Sequence, residues 1–395
     1  MSLRNFRDVL GGDLAGKAFT ALFLLGLLRW LRPADFALLM TLQSVIILAV
    51  TLPSGILNRH YLLTEGAERE ARSYRALQLG LSTATAALVL CLAANSAPMQ
   101  AQAAVLFCSF AGAWFEFART DAQKSAGFGR WARAEVSRAL LLIPTLCWVV
   151  APVSPEWLAT GIIASQGLGY LVASILLKPV AGNPPRLSTA LDAIKDRRAR
   201  TLALYIALVA TAGQLPMLLI ANLASASDVA SFGAAYRYFG LLMSVLASVH
   251  VVILAKLAGG ALTDTAGIRR MQIWAAAMVL AGISAGYLLI PAIDGGKYPD
   301  SPALFVFMSL ALLPGLAAAP RIAELMRENQ GWRLFGSQLL GLLILVASAF
   351  IPILTPATGI AIGVSCASLC QYLLIRNYES KSGDAHRRDH LHRRA

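Results

Sequence analysis

The chain has 395 residues, of which 57% are hydrophobic and only 14% charged, with a formal net charge of +13. That balance, with a mean hydropathy of +0.64, excludes an ordinary soluble domain and a disordered segment alike. The bases are dispersed over seven loops and tails, which fits membrane topology and anionic lipid headgroups and argues against nucleic acid.

In chain order, apolar stretches run over 12–31, 36–56, 77–96, 99–117, 136–153, 157–177, 201–222, 229–255, 271–292, 302–320, 334–354 and 357–375. Each is close to the roughly 20 residues a helix needs to cross a bilayer. The expected fold is therefore an all-α polytopic membrane protein with about 12 transmembrane helices. The first stretch lacks a small-residue cleavage site before a soluble domain, so it reads as a retained anchor and not a signal peptide.

Of the 34 Lys and Arg residues, 28 fall on one side of this ladder. They sit at Arg4 and Arg7, in alternate loops, and in a tail from Arg376 to Arg394. The opposite loops hold only Arg29, Arg32 and Lys297. Because basic loops stay cytoplasmic, both termini are expected inside. The longest break, 178–200, carries Asn183-Pro184-Pro185 and a basic cluster. It divides a six-helix half (1–178) from a second (201–376), with 179–200 as a cytoplasmic linker and 377–395 as a basic tail. The turn Arg32-Pro33-Ala34-Asp35 and the turn Ser225-Ala226-Ser227-Asp228 lie 193 residues apart. Each ends in an Asp suited to N-cap the next helix.

Few motifs carry chemistry. Gly11-Gly12-Asp13-Leu14-Ala15-Gly16-Lys17-Ala18 approaches a phosphate-binding P-loop, but Ala18 replaces the hydroxyl and no strand precedes it. The five cysteines (Cys91, Cys108, Cys147, Cys366 and Cys370) all lie in apolar stretches and read as packing residues. No catalytic constellation, metal site or cofactor site is expected. The three remaining bases are intramembrane. Lys17 lies about 10 Å into the first helix and Arg237 about 13 Å into the eighth, at the helical rise per residue. Arg138 lies near the cytoplasmic end of the fifth. Each has a bland alternative: snorkelling for Lys17 and Arg138, an interhelical clamp for Arg237. Tyr236 and Tyr238 flank Arg237. Gln43, Gln214 and Asn222 can line a polar lumen or join helices. His250 reads as a packing residue. All 21 acids lie in loops or near segment ends, Glu116 deepest. A cationic interior without a mid-depth acid suits a phosphate or pyrophosphate ligand better than a cationic drug.

Leu27-Leu28-Arg29-Trp30-Leu31-Arg32-Pro33-Ala34-Asp35-Phe36-Ala37 resembles the turn between the first two helices of polysaccharide-export flippases. These Wzx-like proteins belong to the multidrug/oligosaccharidyl-lipid/polysaccharide (MOP) superfamily. The stretch 217–238, with Ser227-Asp228-Val229 and Phe232-Gly233-Ala234-Ala235-Tyr236-Arg237, resembles the opening of that family's second half. Ala37 replaces the family's Gly, Phe232 its Tyr, and the acid expected near Leu219 is absent. The resemblance implies a MATE-like architecture of two six-helix halves. It also implies flipping of an undecaprenyl-pyrophosphate-linked oligosaccharide by alternating access. Coupling to H⁺ or Na⁺, and polysaccharide polymerase and chain-length partners, come with it. The rivals are a small-molecule or multidrug exporter of the same fold, a membrane-embedded polymerase or glycosyltransferase, and a non-transporting scaffold. The predicted non-cytoplasmic loops, the longest around 294–301, leave little room for a catalytic constellation.

Overall fold

The computed structural model describes residues 19, 23, 25–64, 67–93, 97–125, 128–150, 154–177, 197–258, 265–328 and 330–392. Among these, all regular structure is helical. The first segment is visible as α1, over 25–30. There follow α2 (Pro33–Leu63), α3 (Ala71–Ala93), α4 (Met99–Lys124), α5 (Phe128–Leu140), α6 (Leu146–Val150) and α7 (Pro155–Leu176). Beyond the linker come α8 (Arg197–Leu223), α9 (Ala226–Ala258), α10 (Thr265–Ile293), α11 (Ser301–Ser309), α12 (Leu312–Arg327), α13 (Gly331–Ser348) and α14 (Pro356–His392). Nine spans among the described residues are long and apolar enough to cross a membrane. The protein is an all-α, multi-pass membrane protein.

Two expected segments are broken. The stretch 136–153 is not one helix. An amphipathic α5 ends at Leu140, a 3-10 turn occupies Ile143–Thr145, and α6 follows. Pro144 lacks a donor and disfavours helical geometry at the residue before it, so the chain breaks there. The stretch 302–320 divides into α11 and α12, and Pro314 falls in the first turn of α12, where a missing N–H costs least. In contrast, Pro53, Pro216 and Pro291 sit inside unbroken α2, α8 and α10. Neighbouring groups in a membrane protein can re-satisfy the carbonyl each proline orphans. The basic tail expected from 377 begins as a continuation of α14, a helix of 37 residues.

The two Asp residues expected as N-caps sit one turn further in. Arg32 is the N-cap of α2, Pro33 takes the first helical position, and Asp35 binds Arg32 through Nε (2.8 Å) and Nη2 (3.4 Å). Ahead of α9, the Ser225 hydroxyl donates to Asp228 (2.8 Å) and accepts from its backbone N–H (3.3 Å). Ser225 thus caps the first turn of α9, with an acid favourably placed in that turn.

The helices gather into two packing units. The first comprises Met1–Gly233 together with Ile293–Tyr298; the second comprises Ala234–Ala292 and Pro299–Ala395. By packing, α8 and the start of α9 therefore belong with the first six segments. In the first unit α2 packs on α3, α4 and α8, while α4 and α7 share a long seam. A Cβ on Gly167 would come within 2.7 Å of Phe107 and 3.1 Å of the Cys108 backbone, so that seam depends on backbone approach at a glycine. In the second unit α13 and α14 pack closely, and Gln371 donates to Gln338 across them (2.8 Å).

Candidate functional site

Lys17 and the Gly11–Ala18 motif fall outside the described residues, as do 178–196 of the linker. Arg237 lies in the uninterrupted helix α9, eleven residues beyond its start and well short of its end. It is half-buried. Tyr236, Arg237 and Tyr238 are consecutive, so helical geometry sends them to different sides. Tyr238 is buried, with its ring edge-on to Phe305 of α11 at 6.4 Å. Tyr236 packs with a tilted ring against Phe239 of its own helix at 5.9 Å. Both tyrosine rings thus have aromatic neighbours beside Arg237.

Gln43 on α2 is buried, and Gln214 on α8, the helix packed along α2, keeps a buried Oε1 without a hydrogen-bond partner. Asn222 is exposed near the end of α8 and donates to Leu218 O one turn back (2.8 Å). His250 lies within α9.

Arg138 corrects an expectation. The sequence reading left it as a cation without an acid; the structure buries it against one. Its guanidinium meets Glu135 at 3.1 Å and lies 5.5 Å from the Tyr170 ring and 5.9 Å from Phe115. Glu135 is 4% exposed and also accepts from Arg119 at 3.0 Å, and Arg119 reaches Glu116 at 2.6 Å. Two acids and two bases thus form a neutral ladder joining α4 to α5. The signal was present as two i,i+3 pairs, Glu116/Arg119 and Glu135/Arg138. Hydropathy hides it, because a straight span over 136–153 leaves Glu135 in a loop.

A second polar cluster went unread. The Tyr61 hydroxyl donates to Asp121. Lys124 Nζ donates to Tyr61 O (2.6 Å) and Thr64 O (2.8 Å) and lies 3.4 Å from Glu68 and 4.5 Å from the Tyr61 ring centre. Lys124 thereby caps the C-terminal carbonyls of α2 from α4. Among the described residues no group of three or more His, Cys, Asp and Glu side chains could hold a metal ion.

No family model and no curated protein matches the sequence. Solved structures do match the fold. MurJ, the lipid II flippase in an inward closed conformation, aligns over 96% of this chain and 88% of its own, at TM-score 0.72 and 10% identity. A MATE protein in complex with MaL6 aligns over 96% of each chain at TM-score 0.61 and 14% identity. A MOP superfamily transporter from Pyrococcus furiosus, for which reverse polarity of the binding pocket suggests a different function, aligns over 95% of each chain at 0.61 and 16%. The chain shares the fold of these transporters and of this flippase. At these identities the likeness fixes the architecture and leaves the cargo open. Within the MOP fold, the distribution of charge along the helices becomes the discriminating property of this chain.

Proposed function

We propose that the protein is a flippase that moves an undecaprenyl-pyrophosphate-linked oligosaccharide across the bacterial inner membrane for surface polysaccharide synthesis, by alternating access. The observation that carries this reading is the depth of Arg237. It sits in the body of α9, whose own acid, Asp228, lies in the first turn, while Glu116 and Glu135 are engaged in the ladder joining α4 to α5. A guanidinium in a low-dielectric interior stabilises a pyrophosphate through charge-assisted, bidentate hydrogen bonds. A cationic drug would meet repulsion there. The fold likeness to a lipid II flippase supports a lipid-linked cargo. Lys17 joins Arg237 in attracting the pyrophosphate, and Gln43, Gln214 and Asn222 offer hydrogen bonds to sugars. Arg138 assists entry only by exchanging Glu135 for a substrate phosphate, so the reading rests on Arg237. The two six-helix halves rock about the 178–200 linker, and H⁺ or Na⁺ couples the cycle.

The test is surface-polysaccharide export by cells carrying Arg237→Ala or Arg237→Lys, with membrane levels of each variant measured alongside. Loss of a charge-assisted contact of about 1.5–3 kcal/mol corresponds to a fall of roughly 10- to 100-fold for Ala, with partial rescue by Lys. Undiminished export by a well-expressed Arg237→Ala removes the pyrophosphate role. The MATE likeness favours a second reading, export of small molecules. Efflux of a cationic dye that survives Arg237→Ala would select it.

A further inference from the structure

The three bases that depart from the positive-inside pattern all have structural partners. Arg32 binds Asp35. The other two, Arg29 and Lys297, belong to a contact made by Ile293–Tyr298. This segment packs with the first unit although the helices on either side of it, α10 and α11, pack in the second. Lys297 Nζ donates to Arg29 O and lies 3.4 Å from Leu31 O; the Tyr298 hydroxyl donates to Leu28 O at 3.2 Å. These carbonyls belong to the last turn of α1 and the residue after it, where no further helical N–H is available. In the other direction Arg29 Nη1 donates to Ile293 O, at the end of α10, at 3.4 Å. The end of α1 is thus capped by Lys297 of the segment, and the end of α10 by Arg29 of α1. The Tyr298 ring, 1% exposed, packs on Phe36 of α2 at 5.7 Å. Burial, reinforced by Asp294, holds the Tyr298 phenol above its ordinary range, so it remains a proton donor at physiological pH.

The segment is built to bend. Gly295 and Gly296 have φ of 67° and 72°, the left-handed region that costs glycine nothing. Buried Asp294 accepts from the Gly296 N–H at 2.9 Å and fixes the turn. The polar contacts are few, Arg29 and Lys297 are exposed, and each bond is individually weak. A contact of this kind is strong enough to bias two states of similar energy and weak enough to open.

We propose that Ile293–Tyr298 is a releasable strap. It caps the end of α1 in one stage of the transport cycle and lets go in another. The inference takes its purpose from the alternating-access reading, but its measurement needs no substrate. Spin labels at Ala34→Cys and Asp300→Cys, in a variant otherwise free of cysteine and reconstituted into lipid nanodiscs, report the separation by pulsed electron paramagnetic resonance. The expected result is a short and a long population, with Lys297→Ala/Tyr298→Phe lowering the ratio of short to long at least fivefold. A single population, or two that this double variant leaves unchanged, overturns the strap. If Arg237→Ala leaves export intact while the two populations respond as expected, the pyrophosphate role of Arg237 falls and the strap stands.

Discussion

Glu135 is the residue whose loss the first packing unit should feel most. It is nearly inaccessible and answers two guanidiniums, and Arg138, with 14% of its side chain exposed, has Glu135 as its nearest acid. Breaking a buried pair from one side leaves an uncompensated charge, which costs about 3–5 kcal/mol. Replacing both partners with apolar groups is far cheaper. Glu135→Ala should therefore lower the melting temperature of the purified protein sharply. Glu135→Leu/Arg138→Leu should recover much of the loss, because the aromatic faces of Phe115 and Tyr170 accept an apolar side chain. Equal melting temperatures for Glu135→Ala and the parent would show that the ladder holds nothing together. The same residues explain a gap in the sequence reading. Spacing exposes i,i+3 partners within a helix, but the link from Arg119 to Glu135 crosses from α4 to α5, and only tertiary packing makes it.

Among elements, hydropathy located the spans well and their interruptions poorly. Periodicity cannot separate a straight apolar helix from one broken at Pro144, because both halves remain apolar. Nor does it report the close seams. The antiparallel register of α3 and α4 follows from Tyr74 and Phe117 sharing a cluster and from Gln78 donating to Ala113 O (3.1 Å). One turn further along each helix that register sets Ser82 opposite Ser109, both fully buried. The α4–α7 seam is more demanding. Gly167→Val drives a branched side chain into Phe107 and the Cys108 backbone and should cost about 2 kcal/mol or more. Gly80→Ala meets nothing within 4 Å and should stabilise α3 by about 0.5–1 kcal/mol. Melting of the two variants in the same detergent, with Gly167→Val no less stable than Gly80→Ala, would refute the seam.

For the whole molecule, the charge ledger and the architecture bear on different questions. The MOP fold says which helices neighbour one another; the ledger says which way they point. The three exceptions, Arg29, Arg32 and Lys297, are bases used for capping and pairing and are not evidence against the rule. Positive charge sets orientation through short loops near helix ends, and 28 of 34 bases lie on one side. A membrane-impermeant thiol reagent applied to intact cells should therefore label cysteines at the exposed positions Ala34 and Asp300. Cysteines at the exposed positions Glu68 and Gly129 should react only after permeabilisation. Neutralising Arg29 and Lys297 together should leave this pattern unchanged while loosening the strap, since two bases removed from the poorer side only steepen the asymmetry. The reverse labelling pattern would place both termini outside and overturn the orientation.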